Sequence, residues 1–199
     1  MNRSIILHIQ GWILTVEAVL MIFPCIVAAF YQETSGFFFL ITMGICLLAG
    51  IPLILKKPKS KLFFSKEGIV SVALGWIILS IMGALPFYIS GAIPSYINAL
   101  FETISGFTTT GSSILTDVEQ LPYCMLFWRS FTNWIGGMGI LVFILAIMPS
   151  TGGEGMHILR AESPGPSISK LTPKLRTTAL ILYIIYFGMT LLQFLLLLI

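Results

Sequence analysis

Long apolar runs, each about as long as a bilayer is thick and set apart by short polar links, constrain this chain more than any other feature. Four are full length: Ile5 to Phe30, Phe37 to Leu55, Ile69 to Ile89, and about Tyr123 to Met148. A fifth runs from about Thr178 to Ile199. A hydrocarbon core is crossed by about 20 apolar residues of helix. Backbone N–H and C=O groups there must be paired within the segment, so the runs read as helices. The first run continues past Glu17, too long for the apolar core of a signal peptide, which is about 7–15 residues. It reads as a retained span. Composition agrees, since only 10% of the 199 residues are charged and 57% are hydrophobic. A soluble domain carries about 25% charged residues. The surface must therefore face lipid.

Lysine and arginine set the orientation. The link after the second run holds Lys56, Lys57, Lys59, Lys61 and Lys66, and the link before the fifth holds Arg160, Lys170, Lys174 and Arg176. With Arg3 these make ten of the chain's 11 basic residues, all on one side if the helices alternate. Only Arg129 falls on the other side, near Glu33, Asp117 and Glu119. The positive-inside bias places the N-terminus in the cytoplasm, with the protein in the cytoplasmic (inner) membrane. The alternation holds only if Pro94 to Thr116 enters and leaves on the outer face. A full crossing there would put Arg160, Lys170, Lys174 and Arg176 outside. The charge pattern thus demands a re-entrant loop.

That loop begins with a short helix, about residues 94–106. Pro94 suits a first turn, Ser95 can cap, and Ile97, Leu100, Phe101 and Ile104 recur at helical spacing. Gly106 is expected to stop it. Thr108-Thr109-Thr110-Gly111 follows, an unusual sequence at membrane depth. Irregular backbone is tolerated there where it is buried in protein or lines a water-filled path. A row of β-branched residues with a glycine favours an extended chain whose carbonyls replace the hydration shell of a monovalent cation. The negative end of the short helix points the same way.

Other residues leave alternatives open. Glu102, in the short helix, can brace the loop, add negative field at its outer mouth, or simply be solvated. Arg129 either snorkels to the outer interface or pairs with Glu102 or Asp117. Glu17 lies mid-span, where a carboxylate is costly and by default suspected of function; the other reading is a packing residue, protonated or paired with Gln10 or a neighbouring helix. Gly136, Gly137 and Gly139 permit close approach of another element, and Trp128 and Trp134 suit an interfacial belt. Three scattered cysteines argue against a disulfide framework or a zinc site. The basic residues form no solvent-facing patch for nucleic acid. Intramembrane serine hydrolysis at Ser112 or Ser113 would need a base nearby. The only histidines, His8 and His157, fall on the opposite side. The chain does not read as an enzyme.

The run Phe101-Glu-Thr-Ile-Ser-Gly-Phe-Thr-Thr-Thr-Gly111 resembles the first pore loop of the Trk/Ktr/HKT potassium transporters, nearest their bacterial TrkH/TrkG branch. Trp128-Arg-Ser-Phe-Thr-Asn-Trp-Ile-Gly-Gly-Met-Gly139 resembles the start of the helix after that loop. Leu159-Arg-Ala-Glu-Ser-Pro-Gly-Pro166 with Leu171-Thr-Pro-Lys174 resembles the cytoplasmic link to a second repeat. The resemblance implies an all-α polytopic membrane fold, a potassium-channel-like helix–re-entrant pore loop–helix repeat preceded by two extra transmembrane helices. Residues 1–60 would be that pair and 61–150 the first repeat, with its filter at 108–112. Residues 151–177 would be the link, and 178–199 the first helix of a truncated second repeat.

The same resemblance implies a filter in which Thr109, Thr110, Gly111 and Ser112 present carbonyls, potassium lying at Thr109 and Thr110. Thr108, Gly106 and Glu102 would support it. It also implies potassium as substrate with no cofactor, possible coupling to protons or sodium, a homodimer in lipid, and a cytoplasmic nucleotide-binding regulatory subunit of the TrkA/KtrA kind. One strand cannot surround an ion that needs about six to eight oxygens. The chain is therefore expected to be a fragment supplying one of four strands. The alternative is a non-conducting accessory or truncated subunit.

Overall fold

The computed structural model describes residues 2–56, 65–139 and 175–198. The expected link at 151–177, with its Leu159 to Lys174 motif and His157, lies outside the described residues, as does the expected end of the fourth run at Met148. The protein is an all-α multi-pass membrane protein. Its helices are α1 (Arg3–Leu20), α2 (Ile22–Phe30), α3 (Gly36–Leu55), α4 (Ser65–Ile89), α5 (Tyr96–Phe107), α6 (Tyr123–Met138) and α7 (Leu175–Leu197). Four stretches among the described residues are long and apolar enough to cross a membrane: Arg3–Phe30, Gly36–Leu55, Lys66–Ile89 and Leu180–Leu197.

The first run, expected as one helix, is two. Pro24 lacks the N–H that would bond the Leu20 carbonyl, so the ladder breaks at Met21. α6 is interrupted at Gly139, which takes φ +72.

Small residues let the helices touch backbone to backbone. A Cβ on Gly11 would sit 2.8 Å from the Gly50 carbonyl, and one on Gly50 would sit 3.0 Å from the Gly11 carbonyl. The α1–α3 contact thereby leaves no room for a side chain at either glycine. α1 and α4 begin on the same face, because the Asn2 N–H donates to Glu67 Oε1 at 2.9 Å and Gln10 Nε2 donates to the Ser71 carbonyl at 3.0 Å. α6 begins on the opposite face. Its first amides, Tyr123 and Cys124, donate to the two carboxylate oxygens of Glu33, in the α2–α3 link, at 2.7 and 3.0 Å. The chain from the end of α4 to the start of α6 thus leaves and rejoins one face. Residues 90–122 are re-entrant.

A large-residue core lies beneath α5, where Phe39, Phe87, Met125 and Trp128 are all but inaccessible. Trp128 is no belt residue. Its indole N–H donates to the Gly83 carbonyl at 3.0 Å, deep in the protein. Trp134 donates to Thr190 Oγ1 at 3.0 Å, tying α6 to α7. Leu48, Leu55, Ile97 and most of α7 lie bare, as lipid-facing or partner-facing residues do.

Candidate functional site

The site is α5 and the six residues after it. α5 buries Ala99, Glu102, Thr103, Ser105, Gly106 and Phe107 on one side and exposes Ile97, Phe101 and Ile104 on the other. Ser95 occupies the N-cap position without a side-chain bond, so the expected cap contributes only its backbone geometry. Gly106 does not stop the helix, which runs on through Phe107. The glycine serves close approach instead, since a Cβ there would overlap the Thr132 hydroxyl of α6.

After Phe107 the chain doubles back along α5 with Thr108 through Ser113 exposed. Two consecutive amides, Thr110 and Gly111, both donate to the Ser105 carbonyl, at 3.0 and 3.3 Å. A trans peptide points the preceding C=O opposite to its N–H. The Thr109 and Thr110 carbonyls are therefore turned away from α5, toward the open side. The backbone achieves this by alternating hand: φ is −84° at Thr108, +57° at Thr109 and +74° at Gly111, and neither Thr110 nor Ser112 has a positive φ. In a uniform strand successive peptides face opposite ways, and switching hand at alternate residues undoes that. The strand is thus less extended than threonine content suggested. A left-handed β-branched residue costs about 1–2 kcal/mol. Thr109 is held in it by its own N–H on the Gly106 carbonyl at 2.9 Å and by the two bonds to Ser105.

Ser112 behaves differently. Its carbonyl accepts from Ser105 Oγ at 2.6 Å and so is turned back onto α5, not outward with its neighbours. Thr108 Oγ1 donates to the Ile104 carbonyl at 2.8 Å and lies 2.8 Å from Thr110 Oγ1. Those hydroxyls brace the turn.

Glu102 resolves into a bracing position. It is almost wholly buried and accepts from Ser113 Oγ at 2.9 Å, from the Ile114 N–H at 3.1 Å and from Arg129 Nε at 2.5 Å. Arg129 is thus the partner of Glu102, not of Asp117, which bonds Gln120 and Glu119. Behind the strand lies a cavity of about 130 Å³ where Glu102, Ser105, Gly111, Ser112, Arg129 and Asn133 meet. On the inner side, Gly136 of α6 abuts the Phe107 carbonyl so closely that any Cβ would overlap it.

Three participants escaped the sequence reading. Ser105 is one, and its only signal was a small polar residue one turn before the threonines. Ser113 is another. Glu33 is the third: it caps α6 from 90 residues away. Partial burial acts to raise the Glu33 pKa, but the hydrogen bonds from Cys124 and Tyr123 outweigh it and hold the carboxyl below its ordinary value.

A family model described as TrkH, cation transport protein, matches residues 35–199. The Trk system potassium uptake protein TrkH of Vibrio parahaemolyticus is 38% identical over 191 residues, covering 94% of this chain and 39% of that protein. The Trk system potassium uptake protein TrkG of Escherichia coli is 37% identical over 193 residues, covering 94% and 40%. The crystal structure of the potassium transporter TrkH from Vibrio parahaemolyticus superposes with a TM-score of 0.74 at 33% identity, covering 96% of this chain and 38% of that one. This chain spans about two fifths of the length of these relatives.

Proposed function

This chain belongs to the TrkH family of cation transport proteins, and on that premise we propose that it supplies one strand of a potassium-selective filter for uptake across the cytoplasmic membrane. The observation that carries the reading is the pair of amides on Ser105, which leaves the Thr109 and Thr110 carbonyls facing the open side. Potassium, as substrate, would exchange hydration water for those oxygens. No cofactor takes part. Gly111 supplies a backbone hand that other residues resist, and a Cβ there would project into open space. The Ser112 carbonyl is tied back to Ser105 and so is not among the oxygens offered to the ion.

Three more strands are needed for a full shell of about six to eight oxygens. We assign them to partner sequence beyond these 199 residues. The names of the relatives support potassium as the ion, and the ten-to-one distribution of basic residues supports a cytoplasmic N-terminus. The relatives' names as Trk system proteins support a cytoplasmic nucleotide-binding regulatory subunit as a further part of the proposal, to which we add a homodimer. Passage is driven by the membrane potential, about 2.3 kcal/mol per charge per 100 mV, with no bond chemistry.

A potassium-uptake-deficient bacterium on limiting potassium tests the reading. It would express the 199 residues alone, a chimera in which they replace the matching two fifths of the Vibrio TrkH, and the chimera with Gly111→Arg. Rescue by the unmutated chimera alone supports the filter strand. Rescue by the 199 residues alone means that copies of this chain complete the ring. No rescue despite membrane expression favours a non-conducting accessory subunit.

A further inference from the structure

Glu17 of α1 is fully inaccessible, and neither of its carboxyl oxygens has a hydrogen-bond partner. Gln10, a partner allowed by sequence, is occupied elsewhere, donating to the Ser71 carbonyl. What Glu17 does face is the back of α5. A Cβ on Gly83 of α4 would lie 3.3 Å from Glu17 Oε1, 3.0 Å from Thr103 Cγ2 and 3.1 Å from Phe107 Cε2. Gly83 is thus the narrow point across which a carboxyl of α1 meets the last turns of α5. The Gly83 carbonyl in turn holds the Trp128 indole of α6.

The charged and titratable groups around it are few. From α3 the thiol of Cys46 is within electrostatic reach. α4 offers Gly83 and α5 offers Thr103 and Phe107, none of which titrates. The charged residue of α5, Glu102, is committed to Arg129 and Ser113. No described cation faces Glu17. An unpaired carboxylate in such a place is far costlier than the neutral acid.

We propose that Glu17 is a proton-binding site whose proton keeps α5 seated against α1 and α4. When the O–H bond breaks and the proton leaves to water, the carboxylate left behind is an unpaired anion across Gly83 from Thr103 and Phe107. α5 and the Gly83–Trp128 contact then shift. The inference concerns proton occupancy and helix seating alone, and it stands apart from the cation-pathway reading.

The test is infrared spectroscopy of the 199-residue chain in phosphatidylcholine vesicles, from about pH 5 to about pH 9, a range in which buried glutamates are known to titrate. Tryptophan emission is read in parallel. A protonated-carboxyl C=O band that is absent from Glu17→Gln, persists above pH 7, and disappears on alkalinisation together with a red shift of the emission is the expected result. Glu17→Gln, neutral at every pH, should show no such shift, and Trp128→Phe should remove it from the parent. Absence of the band already at about pH 5, as for an ordinary carboxyl, would overturn the proposal, as would a band that stays unchanged to about pH 9 or one that titrates with unchanged emission. Should Glu17→Gln not assemble, Glu17→Asp retains an acid in altered surroundings. Its band must then differ in frequency, and a spectrum identical to the parent's would equally overturn the assignment.

Discussion

Glu102 on α5 and Arg129 on α6 meet through Oε1 and Nε at 2.5 Å, and the same carboxylate holds Ser113 and the Ile114 amide just past the strand that follows α5. One buried group therefore ties helix, strand and next helix together. Removing a single partner of such a pair leaves an uncompensated charge, at about 3–5 kcal/mol when both are buried. Arg129 keeps 24% of its side chain accessible, so the low end applies. Arg129→Met is expected to destabilise the chain by about 3 kcal/mol, and the double variant with Glu102→Gln by less than the two single changes summed. Thermal unfolding of the four chains in a double-mutant cycle measures the difference. Additive effects would mean that the contact carries no coupling.

Gly136 and Gly44 predict opposite outcomes for the same change. A Cβ on Gly136 overlaps the backbone carbonyl of Phe107, which cannot rotate away, whereas one on Gly44 meets nothing within 4 Å. Gly136→Ala should destabilise by about 3 kcal/mol, the upper range for overpacking. Gly44→Ala should be neutral or stabilise by up to about 1 kcal/mol, since alanine is the better helix former. Melting temperatures of the two variants decide it.

Glu33 predicts an acid-side dependence. Its carboxyl is held below the ordinary value by the Cys124 and Tyr123 amides, so the folded state prefers the charged form. Its stabilising contribution is complete above the unfolded carboxyl pKa and is lost as pH falls through the folded value. Glu33→Gln should remove that slope and lower stability at neutral pH by about 1 kcal/mol, the usual worth of a helix cap. Unfolding followed from about pH 7 down to about pH 3 measures both.

Thr109 and Gly111 separate strain from function. Both sit at positive φ, +57° and +74°. Gly111→Ala has space but not the conformation, and is expected to lower stability by about 1 kcal/mol. Thr109→Gly relieves strain and should leave stability unchanged or raised, while loosening the carbonyl that the strain positions. A chimera carrying Thr109→Gly should fold as well as its parent and discriminate potassium from sodium less.

Much of this is legible in the amino-acid sequence. The apolar runs and the lysine-rich links disclose the spans because a bilayer imposes one length and one charge bias on every crossing. The re-entry of Pro94 to Thr116 follows from charge alone, and the Glu33 bonds to Tyr123 and Cys124 give it a structural basis over the wider stretch 90–122. What sequence could not settle is tertiary. Gly106 looked like a helix stop, since a glycine after apolar residues usually is one, yet here it makes room for Thr132. Trp128 fits a belt by type but a core by neighbours. Ser112 was grouped with its neighbours' carbonyls, whereas its own is claimed by Ser105, a residue seven positions earlier. The break at Met21 was within reach, because Pro24 announces it.

The central claim is that the open-side carbonyls of Thr109 and Thr110, beside Gly111, lie on the ion's path. Tracer potassium uptake into proteoliposomes containing the chimera, with sodium as competitor, measures it most directly. The account predicts potassium uptake that sodium barely inhibits, abolished by Gly111→Arg and made more sensitive to sodium by Gly111→Ser. Undiminished uptake by a well-folded Gly111→Arg chimera would contradict it, placing the ion's route elsewhere than along this strand.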